Sequence, residues 1–319
     1  MNKLSVSKLR IVTLISIIIS TNCFAETKAM IETIENKDFT VKIKNLGAEL
    51  TSIKSKTTNI EYLWQGNPDI WSGQSPLLFP FVGRLNNGQY KLNGQTYKMT
   101  KHGFAMNKQF QTIEKSKDSV TMQLSDDAET IKIYPYKFSL KVKYSLKGQT
   151  LSVSYIIDNL NDETMYFSIG GHPAFNCPIA DQGLLNDYRL QFKHKETADC
   201  WKLQDETLSR IIKNYLDNTN TIQLNEETFN DDALIFKHLK SDSIKIVSDK
   251  TDHYVKVDFP KFQQLGIWSK PGASGYVCIE PWFGHDDNKD FAEDISKKEG
   301  IQSIDPKKTF KSEFKITCK

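Results

Sequence analysis

The sequence predicts an all-β protein, a large antiparallel β-sandwich, and three observations lead there. Apolar and polar residues alternate with a period of two along Phe138 to Leu146 and again along Leu151 to Ile157. Tyr, Phe and Trp make up 11% of the 319 residues, a composition suited to pleated, half-buried surfaces. After Ala25 no long stretch carries apolar positions at helical spacing.

Taken in order, the chain begins with a targeting segment. Lys3, Lys8 and Arg10 precede the apolar run from Ile11 to Ile19, and small and polar residues follow as far as Ala25. These are the three regions of a secretory signal, and the run is too short to span a bilayer. Cysteine at 23 and alanine at 25 supply the small residues before a cleavage site, so residues 26–319 are expected to be exported, to the periplasm or beyond. Lipid attachment at Cys23 is the alternative.

The exported part is read as strands throughout. They fall at 38–44, 120–124, 138–146, 151–157, 243–248, 253–259, 264–269, 275–280 and 309–317. Asn93-Gly94 marks a two-residue hairpin turn between Tyr90-Lys-Leu92 and Thr96-Tyr-Lys-Met99. Segment 291–299 is the one candidate for a short surface helix. With no linker, repeat or low-complexity stretch, 26–319 reads as a single β domain of roughly 15 or more strands.

Composition narrows the function. Apolar residues at 39% and charged residues at 25% describe a chain that buries a core. A net charge of +3, scattered and without a basic stripe, argues against nucleic acid. Beyond the signal, Cys177, Cys200, Cys278 and Cys318 remain. Export would permit disulfides among them, but only Cys278, inside an apolar run, is assigned here, as a buried thiol. No Cys-x-x-Cys or tight His/Cys cluster occurs, so no metal is expected.

Four polar motifs interrupt the β pattern. Ser75-Pro-Leu-Leu-Phe-Pro-Phe-Val-Gly-Arg84 ends an apolar run in an arginine that could fork onto hydroxyls or simply sit in an ion pair. Lys101-His102-Gly-Phe104 sets a histidine beside a glycine, which allows close backbone approach to a ligand; a solvated loop is the plainer account. Gly170-Gly-His172-Pro173 and Cys278-Ile-Glu280-Pro-Trp282 each place a titratable group at the end of an apolar run, with proline marking where strand pairing stops. A carboxylate in a central strand is costly unless something pairs with it or uses it. An imidazole and a carboxylate so held can pass a proton from one atom to another. The remaining histidines, His194, His238, His253 and His285, are read as surface residues, and Asp286-Asp287 as a solvated turn. Serine-elbow, phosphate-loop and dinucleotide signatures are missing.

Together and in this order, these motifs resemble the aldose 1-epimerase (galactose mutarotase-like) family, in its bacterial LacX-like branch. Asn230-Asp-Asp232-Ala-Leu-Ile-Phe and Leu265-Gly-Ile-Trp268 belong to the same resemblance, which covers most of 30–315. It implies a supersandwich fold and a reaction that interconverts sugar anomers without metal, nucleotide or redox cofactor. By the same resemblance Glu280 is the general base and His172 the general acid, while Arg84, His102 and Asp232 bind sugar oxygens. Trp268, Trp282 and Phe104 are candidate stacking faces. Where galactose mutarotases carry Asn-x-x-Gly-Arg this chain has Phe-Val-Gly-Arg84, so galactose does not carry over as substrate. A non-catalytic carbohydrate-binding protein is the rival reading. A hexose-6-phosphate epimerase is disfavoured, since Arg10, Arg84, Arg189 and Arg210 are the only arginines.

N-terminal sequencing of the exported protein is expected to start at Glu26. A cytoplasmic product starting at Met1 would refute export, and a lipidated Cys23 would establish the anchored form.

Overall fold

The computed structural model describes residues 30–204, 207–272 and 275–319, and the signal expected at 1–25 lies outside them. The alternating segments pair as their pattern demands. Phe138–Lys147 and Thr150–Asn159 form an antiparallel hairpin with Leu146 opposite Leu151 and Leu140 opposite Ile157, so one whole face is apolar and buried. The two-residue turn is also present: Leu92 pairs with Gln95, and Asn93 and Gly94 both take positive φ, the left-handed geometry a tight hairpin needs.

These strands belong to a 15-stranded antiparallel sheet among the described residues. From one edge its path runs Leu77–Leu78, Ile169–Gly171, Gly275–Phe283, Gln264–Trp268, Leu234–Lys237 and Tyr188–Gln204. It continues through Ser243–Ser248, Thr251–Asp258, Thr309–Cys318, Thr150–Asn159, Phe138–Lys147 and Ser119–Ser125 to Gln111–Lys115, with Ala174–Cys177 and Thr207–Gln223 pairing off this path. The sheet curls so that one end packs against strands of its other half. Gly171, near one end, lies against the Phe314 ring and the Tyr155 hydroxyl from the other half. Phe167 and Phe283 meet Phe310 edge-on, and Phe262 meets Phe314, so aromatic rings fill the space between the layers. A three-stranded sheet, Ile31–Glu35, Phe39–Lys44 and Glu49–Ser55, packs on this body, where the Tyr144 hydroxyl donates to the Ala48 carbonyl at 2.7 Å. This is the antiparallel sandwich expected.

Four local expectations are revised. Tyr188–Gln204 and Thr207–Gln223 form a hairpin of two 17-residue strands that the alternation did not reveal. Register shifts between Gln191 and Glu196, and again by Ala198 and Cys200, break its period of two. Ala128–Ile133 is a helix, started by Asp127, whose side chain accepts from the Glu129 and Thr130 amides. Segment 291–299 contains only a 3-10 turn, Ile295–Lys297. Finally, Gly275–Phe283 runs on through Pro281 instead of ending there.

The four described cysteines are all buried and free. Burial pushes the Cys177 thiol up to about 12 and the Cys200 thiol up to about 11.

Candidate active site

The site lies where one β-ladder is interrupted. Along one side Gly275–Phe283 pairs continuously with Gln264–Trp268, Gly266 opposite Glu280 and Leu265 opposite Pro281. Along the other side its neighbour changes: Ala174–Cys177 pairs with Gly275 to Cys278, and Ile169–Gly171 with Trp282 and Phe283. His172 and Pro173 occupy the gap. The Ile279 amide still reaches the Pro173 carbonyl at 3.2 Å. Two residues further on, the same side of the strand presents Pro281, which has no N–H to leave unsatisfied. The proline therefore does mark where pairing stops, but only on the side facing His172.

That break brings His172 beside Glu280, with Nε2 3.1 Å from Oε2. The contact is within reach of proton transfer, yet it is not aligned as a hydrogen bond. His172 Nδ1 and Glu280 Oε2 have no hydrogen-bond partner, and the Trp282 indole N–H nearby also lacks one. Trp282 forms the floor. A Cβ at Gly170 or at Gly266 would fall 2.4 Å from its indole, which is why glycine stands at both places. Trp71 stacks on the His172 ring at 5.2 Å, and Trp268 meets the same ring edge-on at 5.7 Å.

His102 sits in the wall with its backbone in the left-handed region, φ +64°, a strained setting that recurs at Asp232, φ +63°. Its Nδ1 accepts the Gly83 amide at 3.1 Å, so in the neutral ring Nε2 carries the proton. His102, His172, Asp232, Trp268 and Glu280 line one cavity of about 270 Å³, joined by Trp71, Lys101, Trp282 and Asp286. Arg84 is exposed and its side chain lines an adjoining cleft instead. Phe104 does not serve as a stacking face: it is buried against Phe79, Tyr134 and Phe138.

The turn after Glu280 also departs from expectation. His285, Asp286 and Asp287 are buried, not solvated. Asp286 Oδ1 accepts the Arg84 amide at 2.7 Å, Asp287 Oδ2 accepts the Asn86 amide at 2.8 Å, and Lys298 Nζ meets Asp287 Oδ1 at 2.6 Å. His285 Nδ1 contacts the Asp286 carbonyl at 2.7 Å. These side chains bind the 83–86 segment to the end of the Glu280 strand.

Electrostatics follow from burial. Glu280 is 1% exposed, and loss of water holds its carboxyl well above the ordinary range; the Lys101 ammonium opposes this, while Asp232 and Asp286 add to it. Burial lowers His172 to about 3, helped by Lys101. The His102 imidazole is held well below its usual value, first by burial and then by Lys101, His172 and Arg84. Both shifts favour the uncharged forms, a carboxylic acid beside a neutral imidazole. Cys278 adds a third potential ligand atom: His172, Cys278 and Glu280 each offer one, all within 4.8 Å of one another. Any metal bound there would displace the proton and occupy the pair.

Sequence reasoning missed Trp71, Lys101 and Asp286. Trp71 lies in an irregular loop with no periodic pattern, and Lys101 was passed over in favour of its neighbour His102. Asp286 looked solvated because its environment is assembled from segments some 200 residues away, at Arg84 and Asn86.

Comparison with known proteins gives a consistent picture. The family model described as aldose 1-epimerase matches residues 30–293. Protein LacX of Lactococcus lactis is 34% identical over 293 residues, covering 89% of this chain and 98% of the relative. A galactose mutarotase related enzyme from Lactobacillus acidophilus superposes with a TM-score of 0.86 at 38% identity, covering 91% of this chain and 97% of that one. A galactose mutarotase-like protein from Lactobacillus casei also gives 0.86, at 29% identity, covering 91% and 100%.

A stability test follows from the raised Glu280 carboxyl. In the unfolded chain it ionises near 4.5, while the folded chain keeps its proton to higher pH, so folding loses stability as pH rises above 4.5. Glu280→Gln removes that loss. The variant is expected to be more stable than wild type at pH 8, by about 1–3 kcal/mol, and indistinguishable near pH 4 in denaturant melts. A less stable variant at pH 8 would show that the ionised carboxylate is held by the fold.

Proposed function

Since this chain belongs to the aldose 1-epimerase family, we propose that it interconverts the α and β anomers of a free aldose by acid–base ring opening and closure. One observation carries the reading: an imidazole and a carboxyl group stand 3.1 Å apart in the wall of a small aromatic cavity. Opening a hemiacetal takes the proton from the C1 hydroxyl and delivers one to the ring oxygen. Rotation about C1–C2 and closure on the other face complete the exchange. The two oxygens are bonded to the same carbon, so an adjoining base and acid reach both. No proton is gained or lost overall.

Glu280 acts as base and His172 as acid in opening, with roles exchanged in closure. This requires the proton to sit on His172 at the start, one transfer away from the resting pair. Sugar hydroxyls entering the cavity would supply hydrogen bonds to the carboxylate that burial denies it, and the Lys101 ammonium favours the same form. His102 Nε2–H donates to a sugar oxygen, Asp232 accepts from a hydroxyl, and Trp268 covers a ring face. Arg84, on the adjoining cleft, would contact substituents of the ring. With its first 25 residues as an export signal, the enzyme would work outside the cytoplasm.

A binding protein of the same fold would use the tryptophans but would not need the proton pair. Polarimetry on glucose, galactose, xylose and arabinose separates the two: a protein that binds a sugar without accelerating its anomerisation is the binder. Glu280→Gln is expected to lower kcat by about 10²–10⁴-fold while sugar affinity changes little. His172→Asn should do the same, whereas His102→Asn should chiefly raise KM. If the effects of the two histidine variants are exchanged, so are their roles.

The pH profile gives an independent check. Activity needs the pair to hold one proton, so kcat/KM should be bell-shaped with limbs belonging to the pair. With His172 lowered to about 3 and Glu280 raised, the plateau should span neutrality. The rate falls in acid only when a second proton enters, and in base when the last one leaves. An acid limb near the ordinary histidine value of 6.5 would refute the lowered imidazole.

A further inference from the structure

The cavity that holds His172 and Glu280 is one half of a longer groove. Lys101 lines it and also lines a neighbouring cleft of about 650 Å³. Two further elements join the halves. Asp286, in the cavity wall, accepts the amide of Arg84, which faces the cleft. The long hairpin contributes Leu203 to the cavity and Thr207 to the cleft.

The two halves differ in chemistry. The smaller has aromatic faces and carboxyl groups, as a single pyranose ring requires. Among the described residues the larger has Lys101 and Lys289 against one acid, Asp290, together with Arg84, the Asn87 side chain and a partly exposed Phe291 ring. Its far wall is rigidly built: Asn86 Nδ2 donates to the carbonyls of Asn288, Lys289 and Phe291, at 3.0, 3.3 and 2.8 Å. Lys289 and Phe291 therefore stand on a braced turn. A single neutral sugar would leave this half unused. A phosphate ester would fill little of its volume and bypass Phe291, and the cations are mostly lysines, point charges spread along a groove and not a bidentate phosphate fork.

We infer that the substrate is the reducing end of an anionic oligosaccharide, its terminal ring in the 270 Å³ cavity and its next unit, bearing a carboxylate or sulfate, in the 650 Å³ cleft. The inference rests on the anomerase reading above.

Cellobiouronate and cellobiose differ only in one carboxylate and test this directly. Catalysed anomerisation of cellobiouronate, followed by NMR, is expected to exceed that of cellobiose, glucose and glucose 6-phosphate by about tenfold in kcat/KM, with the advantage falling as salt is raised. Lys289→Glu should abolish that advantage and leave the rate on glucose within about twofold. Equal rates on cellobiouronate and cellobiose, or an unchanged preference in Lys289→Glu, overturn the inference. A preference for glucose 6-phosphate replaces it with a phosphate site. Calorimetric titration of cellobiouronate into wild type and Lys289→Glu reads the cleft without turnover: weaker binding to the variant supports the inference even if no sugar is anomerised, and equal binding refutes it.

Discussion

Gly275–Phe283 has one continuous neighbour and one divided neighbour, and the division is the constraint from which the site follows. A buried polar side chain is costly unless a partner is brought to it, and breaking the ladder lets a second polar side chain approach. Here the break spans the two residues His172 and Pro173, and Pro281 stands opposite without an amide to lose. The imidazole and the carboxyl group can then meet inside the protein, held by strands that are paired on every other side. Glu280 is thus positioned from within a strand, and His172 from a two-residue break held between two short strands.

Other buried charges are fixed near this pair. Asp287 and Lys298 form a fully buried ion pair, and Asp286 gives one carboxylate oxygen to the Arg84 amide. Paired and hydrogen-bonded, these groups tolerate burial; removal of one partner would strand the other. Their effect on Glu280 is indirect but has a clear sign. Asp286 and Asp232 keep negative charge near it and so favour its protonated form, while Lys101, at the mouth, pulls the other way. A ligand that changed the exposure of Lys101 would shift that balance.

Most of the architecture was legible because period-two alternation is a direct consequence of the pleat. It failed where the pleat is disturbed: the bulges by Glu196 and Cys200 hid a hairpin of 17-residue strands. His172 and Glu280 were legible as polar residues at the ends of apolar runs, while His102, Asp232 and Trp268 were legible through the motifs of the family resemblance, and the structure brings all five to one cavity. What could not be read was environment. Nothing in Gly-His-Asp-Asp-Asn announces burial, since the atoms that bury it arrive from Arg84, Asn86 and Lys298. Phe104 erred in the opposite direction, an aromatic assigned to the ligand that belongs to the core.

The four buried thiols, unpaired in the folded chain, place a condition on how it matures. Oxidation requires thiolate, and burial pushes Cys177 and Cys200 far enough up that almost none forms in the native state. An unfolded chain has no such protection, and its cysteines ionise near ordinary values. In an oxidising compartment, folding would therefore be a race against non-native crosslinking, won by a chain that closes its sheet before an oxidant reaches it. Redox safety would then be a property of folding speed, carried by no residue in particular.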